Sequence, residues 1–289
     1  MNIMYMTFGE GIQNHLQASF SIYSFLSQKE NIDSITVLTS APSFYEHLKN
    51  DINIVWINDE QLKDWKGPHN FFWRVKIKAL ELICSQHPGE TVMYLDTDTF
   101  LYHDIKIIKN KLAEGHALMH ENEGALSKDK SKTTRQMWGQ VSNESYSGVT
   151  INESSSMWNA GVVATPNTLA NQEFKTAVEI CDAMCEAGVT KRLIEQFALS
   201  ISLQHFYGLE PADDCIAHYW SNKDEWNKVI TDFISGAYFK KLSLQQILSE
   251  LKDFDFKTVP VVKKQKNTQQ RLQKFVSAMF PPKEIRFIK

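Results

Sequence analysis

The chain has 289 residues, 43% of them hydrophobic and 22% charged, with a formal net charge of −3 at pH 7. That balance fits a soluble globular protein and argues against wholesale binding of nucleic acid. No run approaches the roughly 18 apolar residues of a membrane span, and Cys84, Cys181, Cys185 and Cys215 show no zinc-ligand spacing, so free buried thiols in a reducing, cytoplasmic compartment are expected.

The N-terminus lacks the basic start and long apolar core of a signal peptide. Residues 2–8 read instead as a first strand, and Gly9-Glu10-Gly11 as a turn. Residues 15–28 place Leu16, Phe20 and Tyr23 near helical spacing. A second strand is predicted over 34–39, a short helix over 43–49 behind Pro42, and a third strand over 52–57. A helix over 71–85 carries Arg74 and Lys78 four residues apart on one face. The fourth strand, 91–95, runs into Asp96-Thr97-Asp98. Strands alternating with helices predict βαβ units, an α/β fold and a largely parallel sheet.

Further along, 117–120 and 161–164 read as short strands and 121–153 as a long polar connection, the candidate acceptor loop. Helices are expected over 167–187 and 191–203, a strand end at 215–218, and helix from about Asp224. No Gly/Ser/Pro-rich linker divides the first 230 residues, so the expectation is one domain over 1–230 and a helical extension over 231–289. From Pro260 to Lys289 there are eight basic residues and one acid. Within that stretch Leu272, Phe275, Val276, Met279 and Phe280 fall on one helical face. Such a segment either packs onto the domain or lies on an anionic membrane surface, giving peripheral contact through 260–289.

Asp96 and Asp98 are the most informative pair. Alternate strand side chains point the same way, so both carboxylates aim past the end of an apolar strand, where open α/β sheets bind ligands. Two hard oxygen ligands suit Mg²⁺ or Mn²⁺ shared with a substrate's phosphates; the plainer alternative is a polar turn. His218, in an aromatic and polar turn, can complete such a shell, particularly for Mn²⁺, and Lys223 nearby can offset charge on a departing diphosphate. In Trp158-Asn159-Ala160-Gly161, Gly161 admits close approach to the backbone and Asn159 offers a donor and an acceptor to sugar hydroxyls. Glu195-Gln196 pairs a carboxylate with an amide. Arg74 and Lys78 can meet phosphates or Asp96, or simply face solvent.

In this order the motifs resemble the GT-A glycosyltransferases, and most of all the glycogenin and lipopolysaccharide galactosyltransferase (family 8-like) group, over about residues 1–226. The resemblance implies a mixed, mostly parallel sheet flanked by helices. It implies a nucleotide-diphosphate sugar as donor, usually a UDP-sugar, with the anomeric configuration retained; a glycan or lipid-linked acceptor is expected if the basic tail meets a membrane. Asp96, Asp98 and His218 then hold Mn²⁺ or Mg²⁺ against the diphosphate. Thr7 and Phe8 match the segment along the base, and Arg74 an arginine beside the nucleotide and the first aspartate. Lys78 and Thr97 join the donor-binding residues. Asn159, Ala160, Gly161, Glu195 and Gln196 match the donor-sugar and catalytic face, and Lys223 the diphosphate lysine. The chain departs from the pattern after His218, where the lysine comes one place early and no Pro precedes Trp226. It departs again at Glu195, where Asp is usual.

Three other classes share parts of this pattern. A haloacid-dehalogenase-like phosphatase needs Thr four residues after the first aspartate, where Phe100 stands. A Rossmann oxidoreductase needs a third glycine where Asn14 stands. A non-catalytic carbohydrate- or nucleotide-binding protein can use the same fold.

Overall fold

The computed structural model describes residues 1–263 together with Leu272, Phe275, Val276, Met279 and Phe280. The first half runs β1 (Asn2–Thr7), α1 (Ile12–Leu26), β2 (Ser34–Thr39), β3 (Asn53–Trp56), α2 (Asp59–Lys66), α3 (Arg74–Gln86), β4 (Val92–Leu95) and β5 (Thr99–Leu101). β1 and β4 are nearly unbroken apolar runs because both sheet faces are covered. Ile3, Tyr5, Met93 and Leu95 enter one core cluster with Phe20 and Phe25 of α1, and Met4, Val92 and Tyr94 enter the other with Val75 and Leu80 of α3. The α2 helix, not anticipated above, is started by Asn58, whose side chain accepts the Gln61 N–H, and by Asp59 and Glu60 in its first turn.

The second half continues with α4 (Lys106–Ala113), β6 (Ala117–Met119), β7 (Asn122–Ala125), α5 (Lys132–Val141), β8 (Ser145–Tyr146), β9 (Val149–Thr150), β10 (Ser156–Trp158) and β11 (Val162–Thr165). The expected polar connection over 121–153 is therefore structured. Thr134, Met137 and Val141 are buried at helical spacing, and Ser131 caps the start of α5. Then come α6 (Gln172–Glu186), α7 (Ile194–Phe206), β12 (Leu209–Pro211), β13 (Ile216–His218), α8 (Lys223–Phe239) and α9 (Leu244–Lys252). The boundary expected at residue 230 falls inside α8. Trp226, Ile230 and Leu251 share the core cluster of Phe20 and Phe25. The basic tail lies outside the described residues except for five apolar side chains, Leu272, Phe275, Val276, Met279 and Phe280, and all five are exposed.

The main sheet has seven strands in the order β12-β6-β11-β4-β1-β2-β3. β11 pairs antiparallel with both β4 and β6, while the other pairings are parallel. This is the mixed, mostly parallel α/β sheet flanked by helices that the sequence predicts. From β1 the chain goes to β2 on one side and reaches β4 on the other, so the strand order reverses between β1 and β4. That reversal opens a crevice beyond their carboxyl ends.

Candidate functional site

Backbone pairing builds the site in that crevice. Asp96 leaves β4 with its N–H donating to the Gly161 carbonyl at 2.8 Å, and the Thr99 hydroxyl closes the next turn by donating to the Asp96 carbonyl at 2.8 Å. β5 then pairs antiparallel with β13, which sets His218 opposite Thr99. The Tyr219 N–H donates to the Asp98 carbonyl at 3.1 Å. An imidazole far downstream in sequence is thereby fixed beside the two carboxylates by main-chain hydrogen bonds.

One ligand atom from each of Asp96, Asp98 and His218 lies within 4.8 Å of the others. His218 Nε2 is 3.4 Å from Asp98 Oδ2 and 3.9 Å from Asp96 Oδ2. A divalent ion at about 2.1 Å from each donor needs neighbouring ligands about 3 Å apart, so a small contraction converts this cluster into a coordination shell. Two carboxylates and one imidazole fit Mn²⁺ or Mg²⁺ as a donor set. His218 Nδ1 donates to Asn159 Oδ1 at 2.9 Å, which leaves Nε2 as the nitrogen facing the carboxylates. Gly161 makes room for the ring: a Cβ there would sit 2.2 Å from His218 Cε1 and Nδ1.

The charge in the site is balanced from two sides. Lys223, first residue of α8, places Nζ 2.9 Å from Asp98 Oδ2. Burial opposes ionisation of Asp98, but the hydrogen bond and charge of His218, with the Lys223 ammonium, hold its carboxyl well below the usual range. On the other side Lys76 of α3 is buried. Its Nζ lies 3.3 Å from Asp96 Oδ1, 3.1 Å from Glu195 Oε1 and 3.1 Å from the Ala160 carbonyl. It also sits 4.8 Å from the centre of the Tyr94 ring, whose hydroxyl donates to Asp96. Burial works against the Lys76 charge, yet Asp96 and Glu195 outweigh it and hold the ammonium above the ordinary lysine value. Burial pushes the Glu195 carboxyl up, with Lys76 opposing.

Two confluent cavities occupy the crevice. One, of about 260 Å³, is lined by Thr7, Phe8, Phe72, Trp73 and Thr97. The other, of about 340 Å³, is lined by Asn159, Ala160, Gly161, Glu195, Gln196 and Glu123. Both include Trp73, Lys76, Asp96, Asp98 and Lys223, so the aspartates lie where they meet. Phe8 and Phe72 meet edge to face with centroids 6.3 Å apart. The Thr7 hydroxyl bonds Thr39 and that of Thr97 bonds Gln17. Glu123 accepts from Asn159 Nδ2 at 3.3 Å and from Gln196 Nε2 at 3.0 Å.

Arg74 and Lys78 are placed differently from the expectation. Arg74 Nε and Nη2 grip both oxygens of Asp182 at 2.7 and 2.9 Å, and Nη1 donates to the Trp65 carbonyl at 2.8 Å. Lys78 pairs with Glu81 one turn on. Neither lines the two cavities. A helix turns about 100° per residue, so moving two positions along α3 swings a side chain away from its predecessor's direction, and Lys76 takes the inward position. The signal for it was present: Lys76, Leu80 and Ile83 fall at i, i+4 and i+7, a lysine within an apolar stripe. Glu123 and the Phe72-Trp73 pair had no comparable signal. Trp226 is fully buried and its indole N–H donates to the Pro260 carbonyl at 3.2 Å.

No family model and no curated protein sequence matches the chain. Solved structures do. A galactosyltransferase, LgtC, solved in complex with donor and acceptor sugar analogues, is similar at 11% identity and a TM-score of 0.49, over 73% of this chain and 74% of that one. The glycosyltransferase GlyE of Streptococcus pneumoniae is similar at 14% identity and a TM-score of 0.48, over 89% of this chain and 65% of that one. Mouse xyloside xylosyltransferase 1 is similar at 11% identity and a TM-score of 0.43, over 73% of this chain and 85% of that one. These are resemblances of overall shape alone.

Proposed function

We propose that the chain is a metal-dependent glycosyltransferase that moves a sugar from a nucleotide-diphosphate sugar, a UDP-sugar, to a glycan or lipid-linked acceptor with retention of configuration. The observation that carries this reading is the convergence of Asp96, Asp98 and His218 to within 4.8 Å at the sheet's reversal point. The junction of the two cavities at that triad supports it, since a nucleotide on one side and a sugar on the other leave the diphosphate beside the ligands.

A bound divalent ion would offset the charge that grows on a leaving diphosphate. Lys223, paired with Asp98 and half exposed, can swing to a phosphate oxygen. Asn159 fixes the His218 tautomer and is itself held by Glu123. Glu195 and Gln196 line the sugar side of the cleft, where a carboxylate supports positive charge at the anomeric carbon. Lys76 keeps Asp96 and Glu195 in place and lowers the repulsion between them.

The test is release of UDP from UDP-glucose, UDP-galactose and UDP-N-acetylglucosamine by the purified chain with and without Mn²⁺. Turnover that needs Mn²⁺ and falls at least 100-fold in Asp98→Asn is expected. Binding of these donors without turnover, in the presence of acceptors, would assign the chain to the non-catalytic class instead.

Peripheral membrane contact through 260–289 belongs to the same reading. No helix among the described residues is long and apolar enough to cross a membrane. The eight basic residues of this stretch suit an anionic lipid surface, and Phe275 and Phe280 are 60% and 75% exposed. Sedimentation with phosphatidylglycerol vesicles, with and without residues 264–289, tests it; equal pelleting removes the contact.

A further inference from the structure

A third cavity, of about 650 Å³, lies on the far side of His218. It is larger than either arm of the cleft and falls in the size range of small-ligand sites. Residues 254–262 form one wall, and His218 and Trp220 belong both to it and to the cavity on the sugar side of the cleft. Glu121 lines this cavity and Glu123 lines the sugar side, so the same short stretch borders both. A molecule lying across Trp220 therefore reaches from the sugar side of the cleft into the third cavity.

The lining says what that molecule is. Phe256, stacked on Phe100 with centroids 5.0 Å apart, and Val262 at the rim give aromatic and aliphatic surface. The carboxylates Glu121, Asp213 and Asp255 outnumber the one ammonium, Lys257, and three imidazoles and the Tyr102 phenol join them. Carboxylates accept from hydroxyls and repel phosphates. Aromatic faces take the apolar side of a sugar ring or an aryl group.

Resting on the transferase reading, the geometry points to this cavity as the site for the apolar aglycone of a neutral glycoside acceptor. The acceptor's reacting sugar lies over Trp220 toward Glu123 and Gln196, and the group attached to that sugar fills the space behind residues 254–262. The acceptor is thus an uncharged sugar bearing an aryl or alkyl group, not a free monosaccharide and not a sugar phosphate.

Ligand-observed NMR on the full chain tests this with p-nitrophenyl and methyl glycosides of glucose, galactose and N-acetylglucosamine. At least one p-nitrophenyl glycoside is expected to bind tenfold or more tighter than its methyl counterpart. Val262→Trp, which narrows the rim, and Val262→Asp, which replaces apolar rim surface with a charge, are each expected to cut that preference at least threefold. Val262 is exposed, and thermal unfolding checks that both variants fold. Equal binding of aryl and methyl glycosides, or unchanged preference in both folded variants, overturns the inference. UDP-sugar hydrolysis with Mn²⁺, measured on the same samples, separates the two readings. Hydrolysis without aryl preference sinks the aglycone site alone, and aryl preference without hydrolysis sinks the transferase.

Discussion

Lys76 Nζ stands 3.1 Å from Glu195 Oε1 and 3.3 Å from Asp96 Oδ1, and it is nearly inaccessible to water. One cation on α3 thus ties the end of β4 to the start of α7. Removing one partner from a buried pair leaves an uncompensated charge, which costs about 3–5 kcal/mol. Lys76→Met should lose that much in urea denaturation. Adding Glu195→Gln removes one of the stranded carboxylates, and the double variant should recover more than about 1 kcal/mol relative to additivity. Strict additivity would mean that Lys76 and Glu195 are not coupled.

Gly161→Ala tests whether the fit between glycine and imidazole sets metal affinity. A Cβ at this position overlaps the His218 ring at 2.2 Å, so the ring must shift and carry Nε2 from its place 3.4 Å from Asp98 Oδ2. Disturbing the groups that orient a ligand typically costs about 10–100-fold in metal affinity. Titration of Mn²⁺ followed by electron paramagnetic resonance should show a loss of that size in a variant that remains folded by circular dichroism. Wild-type affinity in Gly161→Ala would place the ion away from His218.

Much of this arrangement was legible because its causes are local. The unbroken apolar runs of β1 and β4 report burial on both faces, and Asp96-Thr97-Asp98 lies where β4 ends. His218 could be offered as a third ligand from its chemistry and from the resemblance, but its convergence on the aspartates depends on the pairing of β5 with β13, and three-residue strands carry too little periodicity to announce themselves. The position of Arg74 has a different cause. Which face of α3 turns inward depends on what packs against it, and Asp182 of α6, the partner that draws Arg74 away, cannot be located from α3 alone. Residues 121–153 read as polar connection because a few buried side chains, Leu126, Met137, Val141 and Ile151 among them, anchor a mostly exposed segment.

Arg74→Ala follows from that placement. The guanidinium holds α3 against α6 through both oxygens of Asp182 and caps the Trp65 carbonyl. Hydrogen bonds to charged groups contribute about 1.5–3 kcal/mol. The variant should lose stability on that order while binding Mn²⁺ and UDP within threefold of wild type by calorimetry. A tenfold or greater loss of UDP affinity at unchanged fold would return Arg74 to the nucleotide.

Phe72→Ala separates the two arms of the cleft. Phe72 lines the cavity at the end of β1, meets Phe8 edge to face, and is 42% exposed, so its loss should disturb the core little. If a nucleobase stacks there, removing the ring costs about 1–3 kcal/mol, or roughly 5- to 150-fold in affinity. That loss should fall on UDP and spare pyrophosphate, because pyrophosphate needs only the ion and Lys223. Calorimetric titration of both ligands in the presence of Mn²⁺ measures the difference directly. An equal loss for the two would show that Phe72 supports the metal end of the cleft, and an equal retention would put the base elsewhere.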